Sequence, residues 1–277
     1  MFKDIKVVIF DLDGTLYDDT HHFDFYAKAL CEKLEPTNKD AFNADYKAVL
    51  EGRHPLKMGM SYDAENDLIL NYRDGHILEA YRWDGKKVAN VEIAERYKEP
   101  IQFNFHSLFH IGDLWWVPAA IARHYGLTKE LAEQSFMETR NYMMSPSYIL
   151  TRMNGFKEIL IRLSQSKKLV LITNSPRQDS EVILDKLGFS SIFTDKVFNG
   201  QKPIKTKQHI QCIQEKYTVH YENILSIGDN AINDIFPAKA LGCKTLLIDP
   251  HGISKPSDAD VIVNNLLGML DVLRNIQ

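Results

Sequence analysis

A chain of 277 residues, 44% hydrophobic and 25% charged, can bury the core of one large or two medium domains, and its composition is neither disordered nor fibrous. A formal net charge of -4 lacks the basic footprint that a nucleic-acid backbone requires, and no apolar run approaches membrane-spanning length. Cysteines 31, 212 and 243, odd in number and widely spaced, argue against a disulfide framework or a zinc cluster and predict three buried thiols. The opening residues carry no basic leader or cleavage site, so the expected location is cytoplasmic.

Residues 5–10 form an almost unbroken β-branched and aromatic run, as in a strand buried on both faces of a parallel sheet. The strand series then stops for some 130 residues, by the spacing of the apolar runs. Residues 22–34 have helical patterning. The runs 68–72, 76–83 and 86–93, separated by Asp74-Gly75 and Asp84-Gly85, predict a three-stranded antiparallel meander, because an Asp-Gly pair between β-rich runs favours a tight turn. Aromatic-rich helical text follows over 114–125 and 129–143. From Gly155 onward, strands at 169–173, 192–198, 223–227, 244–248 and 261–263 alternate with helices at 155–164, 178–187, 206–216, 233–241 and 265–274. Gly188 and Gly242 stop two of these helices. Such alternation gives right-handed βαβ units and an open parallel sheet. The expected fold is therefore α/β: a doubly wound, Rossmann-like core from residues 1–17 and 149–277, with a mainly helical domain containing the meander inserted at 18–148.

The first strand ends in Asp11-Leu12-Asp13-Gly14-Thr15, placing two carboxylates at the sheet edge where open α/β folds bind ligands. A lone aspartate there is more often a helix cap or a turn residue. The pair followed by Gly-Thr resembles the signature of the haloacid dehalogenase-like (HAD) hydrolase superfamily. Three later motifs extend the resemblance in order: a hydrophobic strand ending in Thr173 with Asn174 and Ser175, Lys202 followed by Pro203, and Gly228-Asp229 followed by Asp234. Each pattern alone is commonplace, but their order on successive strands is specific.

The resemblance implies a Mg2+-dependent phosphatase. Asp11 would be the nucleophile that forms an aspartyl-phosphate, and Asp13 the general acid and base. Thr173 and Lys202 would meet phosphoryl and carboxylate charge, and backbone N–H groups at Leu12, Asp13 and Asn174 would bind phosphoryl oxygens. Asp11, the Asp13 carbonyl and Asp229 would hold the cation. Asp234 would anchor Lys202 or a metal-bound water, although the first turn of the following helix accounts for it equally well. Dehalogenase members lack the second aspartate, so Asp13 favours phosphate esters. Lys205 and Lys207 rival Lys202 but lack the following proline. The insertion falls where this family places its substrate-selecting cap.

The implied partner is a small phosphorylated metabolite, with neither nucleic acid nor membrane, and a homodimer stays open. A nucleoside monophosphate is one candidate substrate, since 74–95 is similar to the hairpin region of cytosolic purine 5'-nucleotidase-type members. A phosphoglycolate-like acid and a sugar phosphate are others. A phosphomutase and a non-catalytic binding protein of the same fold remain alternatives. His106 and His110 share helical spacing but lack the glutamate of a zinc-protease motif, and read as structural. The aromatics Phe103, Phe105, Phe109, Trp115 and Trp116 read as core or interface.

Overall fold

The computed structural model describes residues 2–73, 75–104 and 106–276, so Asp74 of the first expected turn and Phe105 of the aromatic group lie outside the described residues. Strand β1 (Val7–Phe10) is buried at every position, because its apolar side chains alternate toward two covered faces. The chain then enters a separate compact unit, Thr20–Arg140. It holds α1 (His21–Glu32), α2 (Lys39–Leu50), β2 (Ser61–Asp63), β3 (Leu68–Arg73), β4 (His76–Tyr81), α3 (Asn90–Arg96), β5 (Leu108–His110) and α4 (Trp116–His124); α5 (Lys129–Met144) crosses its boundary. The remaining chain continues the first unit with α6 (Phe156–Ser164), β6 (Lys168–Ile172), α7 (Arg177–Leu187), β7 (Asp195–Val197), α8 (Thr206–Tyr217) and β8 (Ile224–Gly228). A π-helical turn (Ala231–Ile235) runs into α9 (Phe236–Ala240), followed by β9 (Lys244–Ile248), β10 (Val261–Val263) and α10 (Leu266–Arg274).

The first unit is built on a six-stranded sheet, ordered β10-β9-β8-β1-β6-β7, whose strand pairs are all parallel. This is the doubly wound arrangement expected from the alternating sequence. One face of the sheet closes on a cluster that includes Val7, Ile9, Val170, Ile210, Ile213 and Ile224. Strand β1 lies centrally between β6 and β8, where the order reverses; open α/β sheets bind ligands at the carboxyl edge of such a point.

The second unit has its own core, in which α4 packs on α1 and α2 around Leu30, Phe42, Tyr62, Phe109, Val117 and Ile121. Its antiparallel sheet runs β4-β3-β2-β5. The expected hairpin is present as β3 and β4, but the third expected strand, 86–93, is not. Lys87 makes one bridge to Tyr81, and the chain then turns into α3. The helical period wins because Ile93 is buried and Tyr97, four residues on, packs against the same cluster, whereas Val91 is 66% exposed. The sheet grows instead on the far side of β3, through two three-residue strands too short to carry a pattern in sequence.

Two smaller expectations also change. The strand expected over 192–198 shortens to Asp195–Val197, with Ile192 and Phe193 buried in the preceding turn. Cys31 and Cys243 are buried thiols, but Cys212 is exposed. It lies two residues from Ile210 on α8 and so faces away from the buried stripe. Among the described residues, no helix is long and apolar enough to cross a membrane.

Candidate active site

Sheet register brings the polar strand ends together. Phe10 pairs with both Leu171 and Ile227, so the residues just beyond them, Asp11, Thr173 and Asp229, leave the sheet side by side. The Asp11 amide donates to the Ile227 carbonyl (3.0 Å), continuing the ladder to Asp11. Gly14 then turns the chain with φ +74, and a Cβ there would stand 2.1 Å from Asp229 Oδ2. Only glycine supplies both the left-handed backbone and the space that lets Asp229 approach the Asp11 loop.

Lys202 arrives on the loop after β7. Asn174 holds that loop from both sides: its Oδ1 accepts from the Lys202 amide (2.6 Å), and its Nδ2 donates to the Lys202 carbonyl (3.0 Å). The ammonium, 3% exposed, donates to Asp11 Oδ1 (2.7 Å) and Asp234 Oδ1 (2.5 Å). Asp234 thus anchors the lysine from the π-helical turn, packed so closely that a Cβ on Gly228 would meet its Oδ2 at 2.3 Å. Lys205 and Lys207 are exposed. The Thr173 hydroxyl is buried and accepts from the Ser175 amide (3.0 Å), which leaves its own proton to donate. The Leu12 side chain is fully buried, and its carbonyl accepts from Thr15 and Leu16.

Charge in this cluster is unbalanced. Burial pushes the Asp11 carboxyl up to about 7, with Asp234 and Asp13 adding to the rise and Lys202 opposing it. Asp234 is raised by burial, again against Lys202. Burial pulls the Lys202 ammonium down, but Asp11 and Asp234 together outweigh it and hold the lysine charged. The Lys202 ammonium faces Asp11 and Asp234, and Asp11, Asp229 and Asp234 offer oxygens within 4.8 Å of one another. An all-oxygen, electron-rich set fits a hard divalent cation such as Mg2+.

Sequence reasoning did not assign a role to two residues that touch the site. Tyr17 donates its phenolic proton to Asp13 Oδ1, and Ser175 Oγ donates to Asp13 Oδ2 (2.7 Å). Ser175 could have been found, since it lies two residues beyond Thr173 as Asp13 lies two beyond Asp11. Tyr17 has no such spacing, and only its isolated bridge to Asp13 brings it there.

The other candidates belong to the second unit. His110 bonds the Tyr72 hydroxyl through Nδ1 (2.9 Å), and burial lowers it to about 4, against a raising contribution from the Met60 backbone. It is a half-buried histidine held toward its neutral form, while His106 is exposed. Trp115 packs among His22, Phe23, Tyr26 and Phe136; Trp116 stacks on Phe109, and Phe103 lies against Tyr72 and His110.

A family model described as haloacid dehalogenase-like hydrolase matches residues 5–242. A phosphoglycolate phosphatase of Photobacterium profundum is 28% identical over 127 residues, 43% of this chain and 55% of that protein, so the match spans about half the relative's length. YfnB from Bacillus subtilis, a HAD-hydrolase by assignment and bound to magnesium in its crystal, superposes with TM-score 0.56 at 17% identity, covering 99% of this chain and 100% of that one. The L-2-haloacid dehalogenase RSc1362 superposes with TM-score 0.51 at 14% identity, covering 98% and 100%. A fold that serves carbon–halogen cleavage in one neighbour leaves the reaction to be read from the side chains.

Proposed function

The chain belongs to the haloacid dehalogenase-like hydrolases, and from that premise we propose that it hydrolyses phosphate monoesters through an aspartyl-phosphate on Asp11. The observation that carries the reading is the second carboxylate, Asp13, at the same strand end, with hydroxyl donors on both its oxygens. Hydrolysis of a stable phosphate ester needs a proton for the leaving oxygen and later a base for water, and Asp13 can be both.

In the first half-reaction an Asp11 oxygen bonds to phosphorus as the ester P–O bond breaks, and the leaving oxygen takes the Asp13 proton and departs as an alcohol. In the second, Asp13 takes a proton from water as the water oxygen bonds to phosphorus and the Asp11–phosphorus bond breaks. Inorganic phosphate leaves, and both aspartates return to their starting states. Lys202, fixed by Asp234, offsets negative charge at the nucleophile, while Thr173 and the amides of Leu12, Asp13 and Asn174 offer donors to the phosphoryl oxygens. Asp11, the Asp13 carbonyl and Asp229 would hold Mg2+, which when bound supplies the positive charge that lets an anion approach an anion.

The unit Thr20–Arg140 is read as the substrate-selecting cap. The name of the curated relative puts small phospho-acids first among substrates to try, ahead of sugar phosphates and nucleoside monophosphates. The test is phosphate release from such a panel with Mg2+ and with EDTA, comparing wild type with Asp11→Asn. The expected outcome is metal-dependent release, reduced by about 10³-fold or more in the variant, because an amide is a poor nucleophile. Retained activity in Asp11→Asn would remove the aspartyl-phosphate from the reading. A requirement for a bisphosphate activator would redirect it to a mutase.

A further inference from the structure

We infer that Tyr17 and Ser175 are positioning residues for Asp13, fixing its carboxyl group for proton transfer at the reacting oxygens. The inference rests on the role proposed above for Asp13. Each carboxylate oxygen receives its own hydroxyl, Tyr17 on Oδ1 and Ser175 on Oδ2. The two donors come from different parts of the chain. Tyr17 lies four residues on, where its backbone forms a parallel bridge with Asp13, and Ser175 stands in the loop after β6. Both are themselves fixed: Tyr17 is 1% exposed and Ser175 7%, and the Ser175 backbone is tied by its amide to Thr173 Oγ1 and by its carbonyl to the Asn199 amide. A carboxyl group held at both oxygens by buried partners loses the rotation that a surface aspartate keeps, so its proton stays aimed.

The chemistry of the two partners suits a group that must both give and take a proton. A hydroxyl can donate to a carboxylate and, by rotating, accept from a carboxylic acid; a lysine or arginine can only donate. Within this cluster the Lys202 ammonium is directed at Asp11 and Asp234. Hydroxyls thus meet both Asp13 oxygens, while the Lys202 ammonium meets Asp11.

Leaving-group dependence reads this out. kcat and KM are measured with Mg2+ for wild type, Tyr17→Phe, Ser175→Ala, Ser175→Thr and Asp13→Asn on an alkyl phosphate, whose alkoxide needs a proton, and on p-nitrophenyl phosphate, whose phenolate does not. Each positioning variant is expected to lose about tenfold in kcat/KM on the alkyl ester, carried by kcat, and less than about twofold on the aryl ester, a fraction of the full effect of a general acid. Ser175→Thr, which keeps the hydroxyl, is expected to restore the wild-type ratio. The ratio between substrates is taken within each variant and does not depend on the fraction that folds. Equal losses on both esters, or an unchanged alkyl rate, overturn the inference. No phosphate release from wild type, or an Asp13→Asn loss in kcat/KM equal on both esters, would instead sink the underlying reading of the enzyme or of Asp13.

Discussion

At the scale of single residues, the site sets Asp11 and Asp234 around the Lys202 ammonium, and the cost of burial shows in Asp11. Its folded carboxyl is pushed up to about 7 from an ordinary value near 3.8, chiefly by burial. Between those values the folded, metal-free protein holds a proton that the unfolded chain has released, so stability falls as pH rises through that window. Thermal melts in EDTA at pH 5 and pH 8 should therefore show wild type losing stability relative to Asp11→Asn, which does not titrate there. A difference between the two proteins that is independent of pH would remove the burial penalty on Asp11. Mg2+ should raise the wild-type melting temperature at pH 8, because a ligand that binds only the folded state stabilises it. Lys202 was legible as a motif residue in sequence, but its choice over Lys205 and Lys207 has a physical basis only in the fold, where it alone of the three is buried against two carboxylates.

Among elements, the return of the chain into the parallel sheet is held by an interaction with no sequence pattern. Lys186, near the end of α7, donates to the carbonyls of Met143, Ser145 and Tyr148 at 2.9, 2.5 and 2.8 Å. A cation at the end of α5 satisfies carbonyls that the helix leaves without partners and complements its dipole. These contacts tie the chain from Met143 to Tyr148 to α7 of the first unit, which includes residues 141–277. Lys186→Met keeps the apolar stem and removes the donor, and should cost about 2 kcal/mol through the stranded carbonyls. Urea unfolding followed by circular dichroism measures this, and a loss indistinguishable from zero would make the three bonds surplus. The third meander strand failed at this same scale, because 86–93 contains both a β-rich run and the apolar spacing of α3, and burial of Ile93 chose the helix.

For the whole molecule, the decisive feature is that two hydrophobic clusters draw on separate stretches of chain. Among the described residues, one includes residues from Val7 to Cys243 on the parallel sheet, and the other residues from Tyr26 to Leu127. The residues proposed for chemistry, from Asp11 to Asp234, all belong to the first unit. Replacing 20–140 with a flexible linker should therefore leave a protein that unfolds cooperatively and still gains thermal stability from Mg2+, since loop-closure entropy grows only slowly with length. Loss of cooperative unfolding would mean that the parallel-sheet unit depends on its insertion.

Alternating strands and helices were enough to establish the fold class, because buried apolar runs are short-range patterns, and the resemblance of the motifs that end them to a known family named Asp11, Asp13, Thr173, Lys202 and Asp229 as candidates. Tyr17 and Ser175 on Asp13, the choice of Asp234 as an anchor for Lys202, and the strands that complete the antiparallel sheet were decided only by tertiary structure. Each depends on residues brought together by register and packing across tens of positions, and a hydroxyl or a three-residue strand carries no periodicity of its own to announce its partner.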